Sequence, residues 1–251
     1  MQAPLPMPSG TINEAKQNIA VRHLVQLAEL TLKRGAQPTA GEPEIPNGLF
    51  GSASHFDDLV QWSNDNKTQI AEAVKDRAFG GPDGSDIKWT NVLLGCMEAA
   101  TVYLRDSAKV IAAAEAYKQN DFEAAFRLLE ESTKQIQEVA ALWGMKFQLL
   151  CDLTESSATF ETGPYCGAFY SENPDAPFIG VAFKHEPAPA MDLIRQGLND
   201  LCPNIPNKGI PVMVHVAGHS FGGSYSNLCY NQFTIPAVLP QFTTLGDLYT
   251  F

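Results

Sequence analysis

Residues 211–231 read PVMVHVAGHSFGGSYSNLCYN, and this stretch constrains the fold more than any other. Val212 to Ala217 is an almost continuous apolar run, the pattern of a strand buried on both faces in a parallel sheet. Gly218, Gly222 and Gly223 follow within a few residues, and then a segment of small residues that reads as helix. A buried strand turning directly into a helix is one step of an α/β architecture.

The neighbouring sequence extends that reading. YCGAFY (165–170) and FIGVAF (178–183) are short apolar strands, joined by SENPDAP, whose Asn, Pro and Asp form turns. A helix over about 190–201 then leads through NIPNKG to the strand at 212, completing a strand–helix–strand unit. Upstream of about residue 160 the texture is helical and charged. The spacing of Val21, Leu24, Val25, Ala28 and Leu32 predicts a helix over 12–33. Ile19, Leu27 and Leu30 fall off that stripe, so this helix is expected to be covered on more than one side. Further helices are predicted over 56–78 and, with a break, over 89–118. Asp121 reads as the cap of a fourth, running to about Leu153. The segment AYKQNDFEAAFRLLEE (116–131) resembles one tetratricopeptide-like turn, but no repeat follows it, and two helices joined at Asn120–Asp121 explain it as well. The expected organisation is a mainly helical region over 1–160 followed by an α/β core over 161–251.

Gly218-His219-Ser220-Phe221-Gly222 fits G-x-S-x-G, and its setting between strand and helix makes it a candidate nucleophile elbow. In such a turn the strained backbone lifts the serine hydroxyl above the sheet, and glycines are required where backbones approach closely. Ser220 is the candidate nucleophile. The N–H of Phe221, at the helix start, is the candidate oxyanion donor. Gly218, His219 and Gly222 form the rest of the elbow.

VHVAGHSFGGSYSNL resembles the elbow of the class 3 (fungal lipase-like) α/β-hydrolases, above all their basidiomycete members. YCGAFYSENPDAPFIGVAFK is similar to that family's first strands, and GDLYTF at the end looks like the start of its next strand. The resemblance covers about residues 163–251. It implies a partial α/β-hydrolase sheet, a serine carboxylic-ester hydrolase acting on a lipid or other ester, and no cofactor. Three departures accompany it. No histidine follows Ser220, and Asp247 is the only acid after it, so the family's acid and base are absent from this truncated core. The small oxyanion-loop residues of the family would fall on His185 and Glu186, where a carboxylate opposes negative charge. Between Lys184 and Val212 the family's lid helix and extra strand have no room.

Among the histidines, His185 sits at the carboxyl end of a strand beside the elbow and is the candidate base. His219 is expected to pack, His215 to be a hydrogen-bonded core residue, and His23 and His55 to be packing or surface groups. The missing acid and histidine would come from a second polypeptide. Two other readings stay open: a non-catalytic, lipase-derived binding module, and a helical interaction protein whose α/β part is structural.

The net charge of −11 argues against nucleic acid and anionic membrane partners. The scattered histidines and five widely spaced cysteines form no zinc pattern, so no metal is expected, and the cysteines read as buried free thiols. No basic segment followed by an apolar stretch opens the chain and no apolar run is long enough to span a bilayer, so the expected location is cytoplasmic.

Overall fold

The computed structural model describes residues 11–34, 55–75, 89–152, 165–184, 191–219 and 221–251. Its centre is a sheet of strands β1 (Met145–Asp152), β2 (Tyr165–Ser171), β3 (Phe178–Phe183), β4 (Val212–Gly218) and β5 (Thr243–Thr250), in that spatial order. The β1/β2 and β2/β3 pairs are antiparallel, whereas β3/β4 and β4/β5 are parallel. Every residue of β2 and β3 is buried, as continuous apolar runs predict for strands covered on both faces.

Alternation along the strands divides the core into two layers. Tyr165 and Phe169 of β2, with Phe178 and Ala182 of β3, face a helical layer of α2 (His55–Asp65), α3 (Lys67–Lys75), α4 (Trp89–Thr101), α5 (Ser107–Lys118), α6 (Phe122–Glu131) and α7 (Lys134–Leu142). Cys166, Ala168, Ile179, Val181, Val214 and Val216 face α8 (Met191–Leu201) and α9 (Phe221–Phe233). Helix α1 (Ile12–Arg34) contributes Leu24 to the first layer and Ile19 to the second, which explains why Ile19 lies off its main stripe. Its start is a capping box: the Thr11 N–H donates to Glu14 Oε2 at 3.0 Å, and the Glu14 N–H to Thr11 Oγ1 at 3.2 Å.

The helical half differs from expectation in two places. The helix expected over 56–78 is interrupted at Asn66, whose side-chain amide donates to the Trp62 carbonyl at 2.9 Å. The helix expected from Asp121 to Leu153 is three elements. Asp121 does cap α6, accepting from the Ala124 N–H at 3.1 Å, but α7 stops at Leu142 and β1 follows. Gly144 takes φ +72°, a conformation that ends a right-handed helix and suits glycine. Beyond it Met145, Phe147 and Leu149 point inward while Lys146 is exposed, a period of two in place of 3.6. The sheet therefore begins before the change of texture near residue 160. The break expected within 89–118 is a 3₁₀ turn, Val102–Leu104, with Asp106 capping α5. Helices α5 and α6 meet at Asn120, at φ 62°, and Asp121. The segments GAQPTAGEPEIPNG (35–48) and GGPDGSD (80–86), whose glycines and prolines read as loops, lie outside the described residues.

Candidate functional site

The parallel strands β3, β4 and β5 end together at one edge of the sheet, the position where α/β folds gather their sites. Strand β4 ends at Gly218 and α9 opens at Phe221, so residues 219 and 220 make the whole connection. Ser220 and His185 lie outside the described residues. The backbone on either side of Ser220 is very closely packed. A Cβ on Gly218 would overlap the Gly222 carbonyl, and one on Gly222 would overlap the Phe183 carbonyl at the end of β3. A Cβ on Gly223 would stand 3.2 Å from the Gly218 carbonyl oxygen. The Phe251 N–H donates to that same oxygen at 3.0 Å, tying the end of β5 to the turn. These glycines are where the sequence placed the need for close backbone approach.

Phe221 supplies the first N–H of α9, one of the groups that a helix leaves without an internal partner, at the positive end of the helix dipole. His219 is half-buried, and burial lowers its pKa, favouring the neutral ring. The Tyr103 hydroxyl donates to the His219 carbonyl at 3.4 Å, and the two rings meet edge-on with centroids 6.0 Å apart. Lys184 Nζ lies 5.0 Å from the centroid of the Tyr103 ring. Tyr103 and Lys184 are therefore neighbours of the elbow that the sequence reading missed. Tyr103 lies 116 positions from His219, and no local pattern carries that proximity.

Farther along the same edge, Arg105 pairs with Asp152 at the end of β1 at 2.5 Å, their side chains 3% and 0% exposed. The guanidinium stands 4.8 Å from the centroid of the Tyr165 ring. The stretch from Tyr103 to Arg105 thus crosses the sheet edge from β4 to β1.

His215 faces away from α9. Its Nε2 lies 2.6 Å from Glu98 Oε2 on α4, with both side chains fully buried, and the Phe178 and Tyr249 rings flank it. Gly180, opposite His215 on β3, makes room, because a Cβ there would overlap both partners. The hydrogen-bonded core histidine is as expected; Glu98, its partner, was not foreseen. Asp247 accepts a hydrogen bond from the Tyr249 hydroxyl at 2.9 Å. His23 is 1% exposed in α1, so it packs in the interior.

All five cysteines are free, and four of them are buried. Among the described residues no group of three His, Cys, Asp or Glu side chains could hold a metal ion. No described helix is long and apolar enough to cross a membrane. No family model, no curated protein and no solved structure matches this chain.

Proposed function

We propose that this chain carries the nucleophile of a lipase-like serine carboxylic-ester hydrolase. The observation that supports this most is the close approach of Gly218, Gly222 and the end of β3 around the connection that contains Ser220. A nucleophile elbow is a sharp, strained strand-to-helix turn, and such close approach of backbones is what it requires. In this reading Ser220 Oγ bonds to the ester carbonyl carbon while its proton passes to a histidine. The Phe221 N–H stabilises the oxyanion. The tetrahedral intermediate collapses, the C–O bond to the alcohol breaks, and the histidine returns the proton to the departing oxygen. Water then releases the acid by the same steps. His185, or a histidine and an acid from a second polypeptide, completes the machinery.

The competing reading is a lipase-derived scaffold that binds without catalysis. The fully buried pairing of His215 with Glu98 favours it, because that histidine is committed to the opposite face of the sheet. Hydrolysis of 4-nitrophenyl acetate by the parent and by Ser220→Ala separates the two. The hydrolase reading predicts turnover that falls by about a thousandfold or more in the variant. Turnover that survives in Ser220→Ala, or none in the parent, supports the scaffold.

A further inference from the structure

Residues 242–251 read FTTLGDLYTF, and the segment is close to a palindrome: reversed, it reads FTYLDGLTTF. The same segment forms an edge of the sheet. Strand β5 has β4 on one side and, among the described residues, no strand on the other. We propose that two copies of this chain dimerise by antiparallel pairing of their β5 edges, about a two-fold axis between Gly246 and Asp247. The proposal does not depend on the reading of Ser220.

Three observations support it. First, the edge is complementary to itself. A two-fold interface uses the same surface on both copies, so that residue i of one meets residue j of the other and j meets i. Centred between Gly246 and Asp247, the pairing sets Phe242 against Phe251, Thr243 against Thr250, Thr244 against Tyr249 and Leu245 against Leu248, each of them twice. Aromatic pairs, threonine pairs and an aromatic ring opposite a β-branched residue all stabilise antiparallel strands. Asp247, the one charge in the segment, meets Gly246 rather than its own counterpart. Second, apolar exposure is concentrated here. Phe242 is 84% exposed and Phe251 38% at the two ends of β5. Leu228 on α9 and Ile235 just after it complete the set of exposed large apolar side chains among the described residues. Helix α9 packs on β5, so the whole set lies along one side of the molecule. Third, the edge is poorly guarded. Proteins keep edge strands from pairing with lysine, proline or a covering element. The opposite edge strand, β1, carries exposed Lys146 and has α1 packed against it. Residues 242–251 include no lysine, arginine or proline. Their one irregularity is a bulge, an extra residue between Leu245 and Leu248 opposite Val214–Val216. The two-fold axis falls within it, so both strands bulge at the same level and the arms on either side stay in step.

Sedimentation velocity of the intact chain over a series of concentrations reads the association, in salt sufficient to screen the net charge of −11 on each copy. The proposal predicts a monomer–dimer equilibrium that Phe242→Asn weakens about tenfold or more. That change removes an exposed ring at φ 63°, a backbone conformation that asparagine tolerates, so the fold is retained. A short bismaleimide then reads the register. A mixture of Phe242→Cys and Phe251→Cys chains should cross-link between positions 242 and 251. Phe242→Cys alone should form no 242–242 link, because the two-fold sets those positions about 30 Å apart. A chain that stays monomeric, a dimer indifferent to Phe242→Asn, a mixture without the 242–251 link, or a 242–242 link overturns the proposal.

Discussion

His23 shows how a single buried residue links this fold to pH. It stands in α1 against β1, 1% exposed, and burial lowers its pKa from 6.5 to about 4, partly opposed by the charge of Asp152. A histidine whose pKa is lower in the folded state binds its proton more readily in the unfolded chain, so its contribution to stability is full above pH 6.5 and is lost as pH falls toward 4. The loss amounts to about 3 kcal/mol. The measurement is urea denaturation at a series of pH values for the parent and for His23→Leu. The difference in unfolding free energy between the two proteins should change across that window and be flat above it. A difference independent of pH would contradict the buried, neutral ring. From the sequence His23 read only as a surface or packing group. Its burial follows from the packing of α1 on β1, a contact between distant segments.

Between elements, Arg105 and Asp152 tie the crossing from α4 to α5 to the end of β1. Each occupies a place where an unpaired charge would be costly, and neither was singled out in the sequence, because an ion pair spanning 47 positions leaves no periodicity. Asp152→Ala should lower stability by about 3–5 kcal/mol, because it removes the carboxylate from a guanidinium that is nearly out of solvent. The double variant Arg105→Met, Asp152→Leu should recover most of that loss in thermal or chemical unfolding, since it removes both charges. A double variant no more stable than Asp152→Ala would mean that the pair is not what ties this crossing to β1. Other elements were more readable. The continuous apolar runs located β2, β3 and β4, and Asp121 marked the start of α6. The misread element, β1, follows amphipathic helix without a proline or a polar loop, and only Trp143 and Gly144 separate the two periods.

At the level of the whole molecule, the sheet ties the two halves of the sequence together. Leu129, Val139 and Trp143 of the helical layer share a core with Tyr165, Phe169 and Phe178 of the sheet. The Trp143 indole N–H donates to the Ser63 hydroxyl at 2.9 Å, and its ring lies 5.9 Å from that of Phe169. Unfolding followed by far-ultraviolet circular dichroism and by tryptophan fluorescence should therefore give coincident transitions, whereas separate midpoints would show the helical layer folding on its own. The β4–α9 turn was legible because its chemistry is local: a buried strand, glycines at the points of close approach, and a helix, all within consecutive residues. Its surroundings were not legible, since Tyr103 and Lys184 reach it only through the tertiary fold. The central claim is that Ser220 is a nucleophile, and the most direct measurement is peptide mapping after reaction of the intact chain with a fluorophosphonate. The account predicts one adduct, on Ser220, absent from Ser220→Ala. An unmodified chain, or an adduct that persists in Ser220→Ala, would contradict it.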